Sequence, residues 1–123
     1  MAFSDRLGGG LDNYALKLSR NACVDIIENQ GKVVGINAYY INKEMQFAFI
    51  SIISVSQACR KQHIGSNLLT NMEKNLPSEV NSIKLEVRQS NSTAIAFYIR
   101  NGYRILEEKE TSYFMIKELN TLS

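Results

Sequence analysis

Residues 50–69 have the sequence ISIISVSQACRKQHIGSNLL, and this stretch decides the fold that we predict. It begins inside an almost wholly apolar run, Phe47 to Val55, whose β-branched residues are typical of a strand covered on both faces. From Ile64 to Leu76 the apolar residues recur at helical spacing instead. The chain therefore changes from strand to helix across the basic turn at residues 56–63.

The basic turn contains Arg60, Lys61 and His63, and Gly65 follows in the first turn of the predicted helix. A helix start presents unpaired backbone N–H groups and the positive end of the helix dipole. Because glycine has no Cβ, a ligand can approach the backbone closely at this point. These features favour an anion site, above all for phosphate; the alternative is a strand–helix connection whose charges are only solvated. The turn lacks the Gly-Lys-Ser/Thr of a P-loop and the multiple glycines of a dinucleotide fingerprint.

The composition indicates one globular domain over residues 1–123. Hydrophobic residues make up 45% of the chain, which disfavours disorder, and the net charge of +2 gives no support to nucleic-acid binding. Because the sequence has a single histidine, His63, a His-based metal cluster is excluded. Cys23 and Cys59 have no partners at metal-ligand spacing. The sequence has neither a membrane-spanning apolar run nor a signal peptide, so we expect a cytoplasmic protein that does not bind membranes.

The first part of the chain predicts a helix followed by a meander. Residues 11–19 have one apolar helical face, with Asp12 placed to cap the helix. The strands that follow have connections so short that neighbouring strands must be antiparallel. We predict these strands at Ala22–Glu28, Lys32–Ile41 and Gln46–Val55.

The second part of the chain predicts a crossover. The central helix stops before Pro77, the only proline, and alternation over Ser82–Arg88 indicates a strand. A crossover helix makes that strand parallel to the strand at residues 46–55. Ligands bind beyond the carboxyl ends of such strands, so we expect the turns at 56–65 and 89–91 to border the same ligand-binding opening.

The last part of the chain predicts a short helix and a hairpin. Asn91 is placed to cap the helix, and Gly102 is placed to end it. The strands Tyr103–Leu106 and Tyr113–Ile116 then form a hairpin around the charged turn Glu107–Glu110. The sequence contains no internal repeat.

Two motifs resemble the GNAT superfamily of acyl-CoA-dependent N-acetyltransferases. VSQACRKQHIGSNLL is similar to the family's Q/R-x-x-G-x-G/A turn, with Arg60 in the first place, Gly65 in the last and His63 replacing the middle glycine. LEVRQSNSTAIAFYIRNGYRI is similar to the family's LEV…N…A…FY…GF segment, supplied by Asn91, Ala94, Phe97, Tyr98, Gly102 and Tyr103. The resemblance covers residues 14–117, most of the chain.

The resemblance implies an α/β domain with a mixed sheet, splayed between the strands at 46–55 and 82–88, and acetyl-CoA in the gap without any metal. Because few residues precede the predicted first helix, we expect the family's first strand to be absent, truncated or supplied by a partner chain. Pantetheine would pair with the backbone of residues 53–55, and the pyrophosphate would lie on the N–H groups of residues 62–66. The residues implied in cofactor binding are Ile53, Ser54, Val55, Arg60, Lys61, Gln62, His63, Ile64, Gly65, Ser66, Asn91, Ala94 and Tyr98.

The chemistry implied by the resemblance needs an acid, a base and an oxyanion donor. Tyr98 is the expected acid for the departing thiolate, and its alternative role is that of a packed aromatic residue. A backbone N–H near Ile53 would stabilise the oxyanion. The base is unassigned: Glu28, Glu44 and Glu86 are candidates by residue type only, and a water chain is the alternative.

The predicted function is transfer of an acetyl group from acetyl-CoA to a primary amine of a small molecule or peptide. The alternative is a catalytically inactive CoA-binding module with a regulatory or assembly role. The candidates for an acceptor pocket are Tyr14, Asn37, Tyr39 and Tyr40, although the tyrosines fit core packing better. The sequence leaves open whether the protein forms a homodimer.

Overall fold

The computed structural model describes residues 22–119, which form a mixed sheet and two α-helices. The predicted helix over residues 11–19, and the stretch before it where the family's first strand is in question, lie outside the described residues. A 3-10 turn, Gln57–Gln62, connects the central strand to the first described helix. The strands are β1 Cys23–Asn29, β2 Lys32–Asn42, β3 Phe47–Val55, β4 Ser82–Arg88, β5 Arg104–Glu108 and β6 Ser112–Glu118, and the helices are α1 Ile64–Asn75 and α2 Ser92–Arg100.

The strands lie in the order β1-β2-β3-β4-β6-β5, and only the β3–β4 pair is parallel. The predicted antiparallel meander and the predicted parallel crossover are therefore both confirmed. Since α1 connects β3 to β4, the carboxyl ends of these central strands lie at the same edge of the sheet. No helix within residues 22–119 is long and apolar enough to cross a membrane.

The two central strands separate after a short ladder. Their pairing begins at Phe47–Ser82 and ends at Ile50–Leu85, although β3 continues to Val55 and β4 to Arg88. We call the space between these diverging ends the gap. A bulge lies where the divergence starts, because Tyr39 of β2 pairs with Ile50 and Ala38 pairs with Ile52, which leaves Ser51 as an extra residue. Bulges bend a strand and increase its twist, so this one contributes to the splay that the resemblance implies.

Helix α1 packs closely on the meander and reaches across to the other half of the sheet. Leu68, Leu69 and Met72 are almost completely buried on the inner face of α1. On the outer flank, Lys117 Nζ of β6 lies 2.8 Å from Glu73 Oε2 of α1. The helix therefore contacts strands on both sides of the gap.

The final hairpin has a shorter turn than the sequence predicts. Glu107 and Glu108 belong to β5, and only residues 109–111 connect β5 to β6. Leu106 is an extra residue in the ladder, since Ile105 pairs with Met115 and Glu107 pairs with Phe114. Every residue of β5 is exposed, so its carboxylates stay hydrated and need not leave the strand.

Candidate active site

The predicted anion site is a helix start preceded by a tight 3-10 turn. His63 joins the turn to α1 in a left-handed conformation with φ 59° and ψ 23°, and its side chain is exposed. The first turn of α1 contains no acidic residue, so no carboxylate competes with a bound anion there. The N–H groups of Ile64, Gly65 and Ser66 have no acceptor within the helix. The backbone of residues 60–62 forms the last part of the 3-10 turn that leads into this position.

The β3 segment that borders the gap is buried. Ile53, Ser54 and Val55 are each 0% exposed and pair on their other side with β2. The Oγ atom of Ser54 has no hydrogen-bond partner among the described residues. The structure therefore places the predicted pantetheine segment and the predicted pyrophosphate turn in direct succession along one side of the gap.

Tyr98 lies in an aromatic cluster on α2. Its ring meets Phe97 and Tyr103 edge-on, with centroid distances of 5.2 and 5.5 Å. Tyr98 is only 3% exposed, and burial raises the pKa of its hydroxyl above the ordinary value. Asn91 caps α2 as predicted, because its Oδ1 accepts a hydrogen bond from Ala94 N at 3.2 Å. Ala94 itself is 0% exposed.

The sequence model of the GNAT acetyltransferase family matches residues 4–103, most of the chain. This chain belongs to the GNAT acetyltransferase family. It is 38% identical over 108 residues to an uncharacterised N-acetyltransferase from Methanocaldococcus jannaschii. The match covers 78% of this chain and 66% of that relative, so the chain spans slightly less than two thirds of the relative's length.

Solved structures share the same fold. A putative acyl-CoA N-acyltransferase from Klebsiella pneumoniae is 27% identical, with a TM-score of 0.75 over 94% of this chain and 86% of its own. The ribosomal-protein-S18-alanine N-acetyltransferase from Escherichia coli is 19% identical, with a TM-score of 0.73 over 91% of this chain and 78% of its own. The PaiA N-acetyltransferase from Thermoplasma acidophilum, solved with coenzyme A, is 18% identical, with a TM-score of 0.73 over 85% of this chain and 65% of its own.

The candidate carboxylates of this GNAT chain lie at very different distances from the gap. Glu86 directly follows Leu85, the last β4 residue that pairs with β3, so it stands where the gap begins. Glu28 lies on β1, two strands away from the gap. Glu44 lies in the β2–β3 turn, at the opposite edge of the sheet. Among the three, Glu86 is therefore the one that lies next to the end of the β3–β4 ladder.

Sequence reasoning missed the contacts that tie the β5–β6 turn to this GNAT site. Ser112 Oγ donates a hydrogen bond to Glu86 Oε2 at 2.6 Å. Gln89 Nε2 donates to Lys109 O at 2.7 Å and to Ser112 O at 3.3 Å. The partners are at least twenty residues apart along the chain, and no local pattern in the sequence connects them.

A second polar group of the GNAT domain lies beneath α1, away from the gap. Burial, with a smaller contribution from Asp25, raises the pKa of Tyr39 to about 12. Desolvation raises the pKa of Asp25, and the hydrogen bond from Tyr39 opposes that change. Asn37 is 0% exposed, with Nδ2 3.3 Å from Met72 Sδ. Tyr39 and Asn37 are thus core residues, whereas Tyr40 is at the surface; Tyr14, the other acceptor-pocket candidate, lies outside the described residues.

Proposed function

We propose that this GNAT chain transfers an acetyl group from acetyl-CoA to a primary amine of a small molecule or peptide. The observation that carries the proposal is the gap between β3 and β4, which opens beside a helix start free of acidic residues. The coenzyme A complex of the Thermoplasma relative supports the choice of ligand. Among residues 22–119, no group of three or more His, Cys, Asp or Glu side chains could hold a metal ion.

The residues present fit a CoA thioester. The N–H groups of residues 62–66 would hold the pyrophosphate, and the cations of Arg60 and Lys61 would add charge-assisted contacts. The backbone of residues 53–55 would receive the pantetheine arm at the border of the gap. Asn91, Ala94 and Tyr98 would complete the contacts from α2.

The chemistry requires one bond exchange and two proton transfers. Acetyl-CoA supplies a thioester carbonyl; the amine nitrogen bonds to the carbonyl carbon while the carbon–sulfur bond breaks, giving an amide and the CoA thiol. We assign the proton leaving the amine to Glu86, because it is the candidate carboxylate at the start of the gap. Tyr98 would supply the proton to sulfur, and a backbone N–H near Ile53 would stabilise the oxyanion.

Two measurements test the proposal. Saturating CoA should raise the melting temperature through linkage, and NAD or ADP-ribose should raise it less. Free thiol should then be released from acetyl-CoA in the presence of a responsive amine from a panel of polyamines, amino acids and peptides. An unchanged melting temperature would refute CoA binding, and binding without thiol release from any amine would identify an inactive module.

A further inference from the structure

We infer that Ser112 is a positioning residue that holds the carboxylate of Glu86, the residue after the last β3–β4 pair, in one orientation, and that Gln89 in turn holds Ser112. The inference rests on the proposed acetyl transfer, in which Glu86 accepts the proton of the amine. It concerns the orientation of the base before any substrate binds. Ser112 itself need not contact either substrate.

The contact between Ser112 and Glu86 has the geometry of a strong hydrogen bond. The distance from Ser112 Oγ to Glu86 Oε2 is 2.6 Å, which is typical of a hydroxyl that donates to a charged carboxylate. Ser112 is only 7% exposed, so water has little access to its hydroxyl. A serine hydroxyl has one proton to donate, and here that proton is committed to Glu86.

The backbone of Ser112 is also fixed. Its carbonyl oxygen accepts from Lys109 N at 2.8 Å and from Gln89 Nε2 at 3.3 Å. Gln89 N donates to Thr111 O at 3.0 Å, so the β5–β6 turn is bound to the end of β4 on both the main chain and a side chain of Gln89.

The hydrogen bonds from Ser112 to Glu86 and from Gln89 to Ser112 form a closed ring together with the backbone of residues 86–89. Glu86 and Gln89 belong to the same stretch of chain, one on β4 and the other just after it, and Ser112 connects them from β6. Glu86 is exposed and would otherwise sample many rotamers. A general base must lie within hydrogen-bond reach of the proton that it removes, so a ring that restricts Glu86 prepares it for catalysis.

A plain structural explanation is that the ring only closes the hairpin. The two explanations differ in what loss of the hydroxyl changes. If the ring only closes the hairpin, loss of the hydroxyl should lower stability and leave the turnover of folded protein intact. A positioning residue would affect turnover, and its effect would depend on the Glu86 carboxylate.

The test is a double-mutant cycle with acetyl-CoA and a responsive amine. Ser112→Ala should lower kcat about 10- to 100-fold, as expected for a misplaced catalytic group, without changing the affinity for CoA. Ser112→Thr keeps a hydroxyl and should recover most of the rate. In a Glu86→Gln background, Ser112→Ala should have no further effect on kcat, because the base that it orients is already absent. Thr111→Ala removes a neighbouring exposed hydroxyl and should leave kcat unchanged.

The inference is overturned if Ser112→Ala leaves kcat unchanged, or if it lowers kcat equally in the wild type and in Glu86→Gln. Either result would leave acetyl transfer in place. Absence of turnover in the wild type would instead refute the proposed function and the inference that rests on it. A direct readout needs no turnover: side-chain NMR couplings of Glu86 should report one χ1 rotamer in the wild type and averaged rotamers in Ser112→Ala. Averaging in the wild type would also overturn the inference.

Discussion

Gly35 of β2 faces Ile64 at the start of α1 so closely that a Cβ on Gly35 would lie 2.7 Å from Ile64 Cγ2. The same Cβ would lie 3.2 Å from Leu68 Cδ1. The absence of a side chain at Gly35 thus determines how closely α1 can approach the meander. Because Ile64 directly precedes Gly65, this distance also sets where the proposed pyrophosphate donors are held.

Gly35→Ala should displace the first turn of α1 and weaken CoA binding. Overpacking of this kind typically lowers the free energy of unfolding by about 1–3 kcal/mol. Calorimetric titration with CoA and denaturant unfolding would measure both effects. Gly31→Ala is a matched control: Gly31 has φ +80° with nothing within 4 Å of an added Cβ, so it should lose stability through backbone strain and keep CoA affinity.

Tyr98→Phe should lower kcat about 10²- to 10⁴-fold, the usual range for general acid–base catalysis, with little change in CoA affinity. The control is Tyr103→Phe on the neighbouring ring. The Tyr103 hydroxyl is buried without a hydrogen-bond partner among the described residues, so its removal should leave turnover unchanged and stability equal or higher. Wild-type kcat in Tyr98→Phe, measured by thiol release, would remove the acid assignment.

His63→Gly should raise the free energy of unfolding by about 1 kcal/mol, because a left-handed residue is strained when it carries a Cβ. CoA should still bind, since the proposed donors are backbone N–H groups. Gln46→Gly is the matched control, as Gln46 has φ 63° in the β2–β3 turn, far from the gap. If CoA affinity falls in His63→Gly and not in Gln46→Gly, the imidazole itself contacts the ligand.

Asp25→Asn should stabilise the fold at neutral pH and not in acid. The pKa of Asp25 is raised by desolvation, so the folded state binds this proton more tightly than the unfolded state does. Relative to Asp25→Asn, the wild type should therefore lose stability as the pH rises from below 3.8, the ordinary pKa, through the raised value. Denaturant unfolding across this range would measure the difference. A constant difference at every pH would contradict the desolvation of Asp25.

Local patterns predicted the elements that position the site. Alternation over Ser82–Arg88 gave the bounds of β4 as observed, and the Asn91 cap and the left-handed Gly102 define the ends of α2 as expected. These features depend on neighbours within a few residues, which periodicity and capping rules describe well. The splay of β3 and β4 came from the family resemblance, because no periodicity in either strand marks where a ladder ends.

Contacts between distant segments escaped prediction. Gly35 gave no sign of the close approach of α1, because the residues that it meets lie about thirty positions later in the chain. The predicted strand Tyr113–Ile116 leaves out Ser112, so the sequence gives no sign of its hydrogen bond to Glu86. The Leu106 bulge was missed as well, since an extra residue in a ladder depends on the partner strand.

The short β3–β4 ladder has a consequence for how the molecule opens. The β-ladder between the three-stranded units β1–β3 and β4–β6 has only four residue pairs, and α1 also connects the units through the Glu73–Lys117 ion pair. We expect partial unfolding to start at this short ladder. The amide hydrogens of residues 51–54 should therefore exchange faster than those in the middle of β2. Any molecule that fills the gap would act as a wedge between the units, slowing that exchange and making their unfolding more cooperative.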